Sequence, residues 1–262
     1  MSPIQTPQLP QWASRAGTWL LDLLFPKKCP FCQRILEDPR APACPDCQKT
    51  LPWLSGREAE RPVEFTSGCL SPLAYRGRVP DSVHRYKVPG TPSYAGAYGL
   101  LIAQCVRDNR AAPLDLVTWV PLSPKRKRKR GFDQAEALAR AAAQELGLPV
   151  RGTLEKFRNN GPQSHLHEAS ERRANVLGAY RLREGAEPAG LRILLVDDVV
   201  TSGATLSECA RLLRSAGAAE VLCATLAQAR KSYSSVFSLK NSLFPSELQN
   251  VSFSVMMSTI KT

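Results

Sequence analysis

The residues with the clearest chemical potential lie in one stretch of the chain, residues 193–205. There an apolar run ends at two adjacent carboxylates, Asp197 and Asp198, and such a run is typical of a parallel strand covered on both faces. Small residues with hydroxyls and backbone N–H groups follow, and then an amphipathic segment over residues 206–215. A phosphate is expected to bind at the N-terminus of this predicted helix. Because the turn contains no Lys or Arg, backbone amides would do most of the binding.

A second group of reactive residues consists of two CxxC pairs, Cys29 with Cys32 and Cys44 with Cys47, which are separated by eleven residues. Four thiolates at this spacing complete a closed tetrahedral shell, which predicts a structural Zn²⁺ with no open catalytic position. An iron centre or two disulfides are the alternatives, although no secretory signal indicates an oxidising compartment. The remaining cysteines lie in apolar contexts that favour small core residues: Cys69, Cys105, Cys209 and Cys223.

Six consecutive cations, Lys125 to Arg130, lie between a strand-like segment over residues 114–120 and a helix predicted to begin at Asp133. Glu136 completes a capping box for that helix, and Gly147 is its expected C-terminal stop. We interpret the cations as a loop beside a strand end. Such a loop could clamp pyrophosphate or follow a nucleic-acid backbone. The alternative is a solvated, mobile charge run or a targeting-like patch without a targeting role.

An α/β framework is needed to position these groups. The predicted helix over residues 206–215, ended by Gly217, leads to a strand over residues 221–226. A right-handed crossover makes this strand parallel to the one before the acidic pair, and ligands in such sheets bind beyond the carboxyl ends of the strands. The other expected elements are a strand within residues 68–75, a helix over 94–107, a strand-like segment over 148–154 and a polar loop over 156–166 that could close over a ligand.

Composition limits the class of protein. The chain has 262 residues, enough for one α/β domain and a smaller module. Its 35 Lys and Arg residues exceed its 23 Asp and Glu residues and give a net charge of +12, which favours a phosphorylated or polyanionic partner. No segment reaches the ~18 consecutive apolar residues of a membrane span. No signal peptide is recognisable, so a cytoplasmic location is expected.

The stretch from Val196 to Thr205 resembles the phosphoribosyl pyrophosphate (PRPP) signature of type I phosphoribosyltransferases. Together with the double CxxC, it identifies the chain as a member of the ComF family of ComFC- and GntX-like proteins, over about residues 20–228. Three further segments occur in the order that the family shows: Arg128 to Gln134, Gln163 with Leu166, and Arg172 to Val176.

The resemblance implies an α/β fold with a type I phosphoribosyltransferase-like parallel sheet, helices on both faces, and a small zinc-ribbon module before it. It implies that Asp197 and Asp198 form the catalytic pair that receives the ribose hydroxyls, and that Mg²⁺ accompanies PRPP if the protein is active. The 5′-phosphate would be bound by Val199, Thr201, Ser202, Gly203, Ala204 and Thr205. Arg128, Arg130 and Gln134 correspond to the family's basic loop, and with Lys125 and Arg126 they are the predicted contacts to nucleic acid or pyrophosphate. Asp133 stands where the family usually carries Asn.

The predicted domain organisation has four parts. They are an N-terminal amphipathic helix (residues 1–25), a four-cysteine zinc-ribbon module (26–55), a phosphoribosyltransferase-like domain (68–228) and an atypical, disordered C-terminal tail (229–262). The N-terminal helix is expected to pack on the protein's own core rather than on a membrane surface. Pro, Gly and charged residues between positions 52 and 66 are typical of a linker that leaves the zinc module.

Three functions remain open at the level of sequence. The first is a ComF-like protein of DNA uptake and natural transformation that binds PRPP or a nucleotide together with single-stranded DNA, with DNA-uptake or recombination proteins as further partners. The second is a phosphoribosyltransferase of nucleotide salvage, for which no acceptor site is recognisable. The third is a non-enzymatic adaptor that docks a partner protein through the zinc ribbon.

Overall fold

The computed structural model describes residues 26–88, 93–110, 112–157 and 178–229. The strands are β1 (Glu60–Arg61), β2 (Cys69–Leu70), β3 (Leu73–Ala74), β4 (Leu116–Trp119), β5 (Leu154–Lys156), β6 (Tyr180–Leu182), β7 (Arg192–Val200) and β8 (Glu220–Gln228). The helices are α1 (Pro45–Thr50), α2 (Val79–Tyr86), α3 (Tyr94–Asn109), α4 (Pro124–Arg130), α5 (Gln134–Leu146) and α6 (Ala204–Ser215), with a 3-10 helix at Gly56–Glu58. Within these ranges, no helix is both long and apolar enough to cross a membrane.

A six-stranded sheet forms the centre of the structure, with the strand order β1-β2-β8-β7-β4 and β3 also paired to β8. All of its pairings are parallel except that of β1 with β2. β4, β7 and β8 are mostly buried because both faces of the sheet are covered. β5 and β6 form a separate antiparallel pair.

Alternating residues of β7 point into two different layers of core. Leu194 and Val196 belong to one cluster, which also contains buried side chains of α2, α3 and α5. Ile193 and Leu195 belong to the other, which contains α6 and the β5–β6 pair. This period-two alternation is the ordinary consequence of strand geometry. It confirms a parallel sheet with helices on both faces.

The CxxC turns are part of this core rather than a separate body. Ser82 of α2 donates a hydrogen bond from Oγ to the carbonyl of Pro30 at 2.6 Å, and Arg85 donates to the same carbonyl at 2.8 Å. The ring of Phe31 packs against that of Tyr98 in α3, with 5.9 Å between centroids. The cysteine cluster therefore shares its packing with the helices on one face of the sheet.

Several predicted elements are confirmed. The helix expected over residues 94–107 is α3, the strand expected over 114–120 contains β4, and the helix and strand after the acidic pair are α6 and β8. The strand expected within 68–75 is divided into β2 and β3, both paired to β8. The strand-like segment over 148–154 forms one isolated bridge, between Val150 and Val117, and becomes a regular strand only at its end, in β5.

Two expectations were wrong. The basic segment is a helix, α4, not a loop: Ser123 accepts a hydrogen bond from the Arg126 N–H as its N-cap, Pro124 begins it, and Gly131 ends it in the left-handed conformation. Residues 52–66 are not a free linker, because β1 lies within them and pairs with β2. The predicted features at residues 1–25, Gln163 with Leu166, Arg172 to Val176 and the tail beyond position 229 lie outside the described residues.

Candidate functional site

A cavity of about 210 Å³ lies at the carboxyl ends of β4 and β7, where a ligand is expected in a parallel sheet. It brings together segments that are far apart in the sequence. The lining includes Lys87, Ser123, Arg126, Arg130, Gln134, Lys156, Tyr180 and the continuous run from Asp197 to Leu206. Most of the predicted site residues therefore meet in one place.

The acidic pair lies on β7 itself, since this strand continues to Val200. Because successive strand residues face opposite sides, Asp197 points towards the layer of α6 and Asp198 towards the layer of α2. Burial, and then the negative charge of Asp198, raise the pKa of Asp197 to about 8. The Asp198 N–H donates a hydrogen bond to the Asp197 carboxylate at 2.8 Å. The two carboxylates therefore have unlike environments although they are adjacent.

The predicted phosphate loop connects β7 to α6. Gly203 is the N-cap of α6 with φ 82°, and the Ser202 hydroxyl accepts a hydrogen bond from the Ala204 N–H at 3.4 Å. No side chain of the described residues accepts from the next two N–H groups, those of Thr205 and Leu206. Those groups have no partner within the helix and face the cavity with the positive end of the helix dipole. Thr201 and Ser202 are exposed beside them. This end of the cavity can accept an anion through backbone N–H groups.

Two residues from the N-terminal part of the chain, Arg61 and Val63, contact this loop. Arg61 donates a hydrogen bond from Nη1 to the Thr201 carbonyl at 2.9 Å and another to the Ala229 carbonyl at 3.2 Å. Val63 approaches Gly203 so closely that a Cβ on Gly203 would lie 3.3 Å from Val63 Cγ2. The segment interpreted as a linker thus fixes the backbone of the phosphate loop.

The cations of α4 separate into two sets. Arg126 and Arg130, one helical turn apart, are half-buried and line the cavity. Lys125 and Arg128 are exposed and do not line it. Arg130 donates to the Gln134 side-chain carbonyl at 2.8 Å. The Gln134 Nε2 is buried in the cavity wall and, within the described residues, has no hydrogen-bond acceptor. An incoming oxygen anion could satisfy it.

Asp133 holds α4 and α5 in this arrangement. Its carboxylate accepts hydrogen bonds from the Leu122 N–H at 2.9 Å and from the Glu136 N–H at 3.3 Å, which confirms it as the N-cap of α5. Burial raises the pKa of Asp133 despite these two donors. Gly147 ends α5 in the left-handed conformation, as predicted.

Among the lining residues that were not predicted as site residues, Lys87, Lys156 and Tyr180 carry titratable groups. Lys87 follows α2 and forms an ion pair with Asp198, with 2.8 Å between Nζ and Oδ2. Lys156 and Tyr180 lie on the β5–β6 pair, where Lys156 donates to the Tyr180 hydroxyl at 3.0 Å. Burial, and then the positive charge of Arg126, lower the pKa of Lys156. The available sign for Lys156 was its place at the start of the polar loop expected over residues 156–166, although the structure places it at the end of β5. No local pattern marks Lys87.

The four CxxC cysteines form the candidate metal centre. Their Sγ atoms all lie within 4.8 Å of one another, and Cys32 and Cys44 are 3.4 Å apart. Tetrahedral Zn–S bonds of about 2.3 Å place sulfurs about 3.8 Å apart, so the cluster fits zinc. All cysteines of the described residues are free thiols, which disfavours the disulfide alternative. Burial alone would raise the pKa of the Cys29 thiol. Hydrogen bonds from backbone N–H groups, of which that of Cys44 has the largest effect, outweigh burial and lower this pKa to about 7.

The other cysteines lie in the core, as predicted. Cys69, Cys105, Cys209 and Cys223 are all buried. Burial raises the pKa of each of these thiols. None of them lines the cavity.

Comparison with known proteins agrees with this arrangement. Residues 133–256 match the phosphoribosyl transferase domain family, and residues 20–59 match the double zinc ribbon domain family. The chain is 34% identical to the DNA utilization protein YhgH of Salmonella typhi over 212 residues, which cover 76% of this chain and 90% of that protein. The chain belongs to the ComF family. Together, the family matches and the cysteine cluster support structural zinc in this ComF-family protein.

Two other similarities are more distant. Competence protein F of Haemophilus influenzae is 27% identical over 226 residues, which cover 78% of this chain and 98% of that protein. A glutamine PRPP amidotransferase from B. subtilis, solved with ADP and GMP, is 26% identical and has a TM-score of 0.34, with coverage of 51% of this chain and 26% of that one. The fold of the ComF-family protein is of the type I phosphoribosyltransferase class, with an N-terminal zinc-ribbon cysteine cluster.

Proposed function

We propose that the protein binds PRPP in the cavity at the end of β7, binds single-stranded DNA on the outer face of α4, and acts in DNA uptake. One observation carries the first part: the acidic pair, the N-terminal N–H groups of α6 and the inner cations of α4 surround a single cavity. The relatives named for DNA utilization and competence support the process.

Each part of PRPP has a counterpart in the cavity. The 5′-phosphate would lie on the loop of residues 201–205, where backbone N–H groups and the dipole of α6 favour an anion. The ribose hydroxyls would donate to Asp197 and Asp198. The pyrophosphate would lie against Arg126 and Arg130, with the unsatisfied Gln134 N–H as a further donor.

The charges of the cavity suit a highly anionic ligand. Four cations line it, Lys87, Arg126, Arg130 and Lys156, against the two carboxylates of the acidic pair. Mg²⁺ would be held mainly by the oxygens of the bound pyrophosphate, because this ion keeps most of its water when it binds protein. Its chemical contribution would be to neutralise the pyrophosphate as a leaving group.

Single-stranded DNA is assigned to the opposite side of α4. Lys125, Arg128 and Lys129 are exposed there, outside the cavity lining, and they add to a net charge of +12. Phosphate contacts of this kind give sequence-independent, salt-dependent binding. A single short helix would therefore divide its cations between a small ligand and a polymer.

Two double variants test whether the inner and outer cations of α4 bind different ligands. Arg126→Gln with Arg130→Gln should weaken PRPP binding on the order of 100-fold, because two charge-assisted hydrogen bonds are lost. Lys125→Gln with Arg128→Gln removes the same charge from the same helix and should leave the Kd for PRPP within about twofold of the wild-type value. The latter pair should instead weaken DNA binding and lower the slope of log K against log salt by about 1.4, at about 0.7 per phosphate contact. Equal effects of both pairs on both ligands would contradict the proposal.

A second candidate function is an active phosphoribosyltransferase. In it a nitrogen nucleophile would attack the anomeric carbon of PRPP, the bond to pyrophosphate would break with its electrons leaving on pyrophosphate, and the nucleophile's proton would pass to a base. The observation that favours it is the wall of Lys156 and Tyr180 on the Asp197 side of the cavity, against which an acceptor could lie. Pyrophosphate release across nucleobases, compared with Asp197→Asn and Asp198→Asn, tests it; absence of any Asp-dependent release rejects catalysis.

The adaptor hypothesis receives less support. Cys29, Cys44 and Cys47 are buried, and the turn between Cys29 and Cys32 is covered by α2. A ribbon packed in this way has less free surface for a partner than a separate module. Its contacts instead favour a structural role for zinc.

A further inference from the structure

The ion pair between Lys87 and Asp198 is a feature of the cavity to which the proposed function assigns no role of its own. The Nζ atom lies 2.8 Å from Asp198 Oδ2, and the two side chains are 32% and 17% exposed. Burial alone would lower the pKa of Lys87, but the charge of Asp198 and the hydrogen bond to it outweigh this and raise the pKa. The Lys87 ammonium is therefore paired with Asp198 as a cation in the ligand-free protein.

The backbone position of Lys87 is fixed from two directions. It is the C-cap of α2, and that helix is bound to the Pro30 carbonyl through Ser82 and Arg85. On the other side, the Tyr86 hydroxyl donates to the Gln134 carbonyl at 2.9 Å. These contacts fix the backbone position from which the Lys87 side chain reaches Asp198.

Within the described residues, no other Lys or Arg forms an ion pair with Asp197 or Asp198. Lys156 also acts on Asp197 through its charge, without an ion pair, and the other groups that act on the pair electrostatically include Asp133 and the Tyr86 hydroxyl. Two adjacent carboxylates without a cation would be suitable ligands for Mg²⁺ or Mn²⁺, which prefer oxygen and bind more tightly as ligand charge increases. The ammonium offsets the charge of Asp198 and occupies one of its carboxylate oxygens.

We propose that Lys87 is an internal counter-ion that makes the acidic pair selective for sugar hydroxyls over free divalent cations. With Lys87 in place, a divalent ion cannot take Asp198 as a full negative ligand, whereas hydroxyl groups can still donate to the remaining carboxylate oxygens. Divalent metal then reaches the cavity only on the pyrophosphate of the ligand. This selectivity rests on the proposed PRPP site, but the counter-ion role itself can be tested without PRPP.

The test measures Mn²⁺ binding to the zinc-loaded, ligand-free full chain by electron paramagnetic resonance. Lys87→Met should gain one Mn²⁺ site, with an affinity on the order of tenfold or more above that of the wild type. Lys87→Arg keeps the charge and should gain none. The double variant Lys87→Met with Asp198→Asn should lose the gained site, which would show that Asp198 is the ligand. Lys87→Gln serves as the second neutral variant, in case the apolar side chain of Lys87→Met prevents folding.

Two results would overturn the proposal. The first is Mn²⁺ binding by the wild type as tight as that of the neutral variants. The second is the absence of a new site in a folded neutral variant, with folding checked by near-UV circular dichroism. A PRPP titration of the wild type runs in parallel: a gain of Mn²⁺ binding without PRPP binding would reject the proposed ligand and retain the counter-ion.

Discussion

Replacing Gly203 by alanine tests whether the backbone of the phosphate loop is what binds the ligand. Gly203 has φ +82°, and a residue with a Cβ costs about 1–2 kcal/mol in this left-handed region. In addition, the new Cβ would lie 3.3 Å from Val63 Cγ2, tighter than ordinary contact. We expect Gly203→Ala to lower the free energy of unfolding by about 1–2 kcal/mol from conformation alone, with a smaller further loss from the contact.

The chain offers a matched control for this substitution. Gly147 ends α5 with φ +68°, and a Cβ there would meet nothing within 4 Å. Gly147→Ala should carry a similar conformational cost without the close contact and away from the cavity. Adding Val63→Ala to Gly203→Ala should recover the part of the loss that comes from the contact, but not the part that comes from φ.

The assays are urea unfolding and calorimetric titration with PRPP. If the loop relaxes to relieve a strain of about 1–2 kcal/mol, its binding geometry is lost at a similar free-energy cost, so Gly203→Ala should raise the Kd for PRPP about tenfold. Gly147→Ala should leave this Kd unchanged. A destabilised Gly203→Ala protein that binds PRPP as tightly as the wild type would refute the reasoning.

Three further predictions concern the surroundings of the cavity. Arg61→Met should raise the Kd for PRPP several-fold and lower the free energy of unfolding by about 1 kcal/mol, because Arg61 donates a hydrogen bond to the Thr201 carbonyl. Arg57→Met is the control, measured by the same titration and the same unfolding assay. Removing zinc with a chelator should lower the thermal midpoint and change the near-UV signal of Tyr98, which packs on Phe31; an unchanged melt would contradict structural zinc. Because the pKa of Asp197 is raised to about 8 in the folded protein, ligand-free stability should fall as pH rises from about 4 to about 8. In Asp197→Asn, the free energy of unfolding, measured by urea titration at each pH, should fall less between pH values of about 4 and about 8. The same pH dependence in the variant and the wild type would contradict the shifted pKa.

Much of the core of the fold was predictable because its determinants are local. The apolar run, the acidic pair, the small turn and the amphipathic helix occur in one continuous stretch, and β7, α6 and β8 follow from it. The zinc cluster was equally predictable, since each CxxC turn brings two ligands together through local geometry alone. The cap at Asp133 also depends only on neighbouring residues.

The errors have physical causes. Consecutive like charges were taken to indicate a loop, yet Ser123, Pro124 and Gly131 are helix boundary residues, and Lys and Arg are good helix formers. The helix matters for the proposed function because it gives the cations an inner and an outer face. The linker interpretation failed at Arg61, whose partner Thr201 is distant in sequence.

The remaining site residues depend on long-range packing. Lys87 meets Asp198 only because α2 packs beside the sheet, and Lys156 reaches the cavity only because β5 pairs with β6. No spacing within the sequence encodes either contact. The structure was needed to find both lysines.

The most direct test of the account is a calorimetric titration of the zinc-loaded full chain with PRPP in the presence of Mg²⁺, repeated with saturating pyrophosphate and with saturating ribose 5-phosphate. The account predicts one PRPP per chain, with binding suppressed by each fragment separately, because one cavity holds both ends of the ligand. Absence of PRPP binding, or binding that neither fragment weakens, would contradict it.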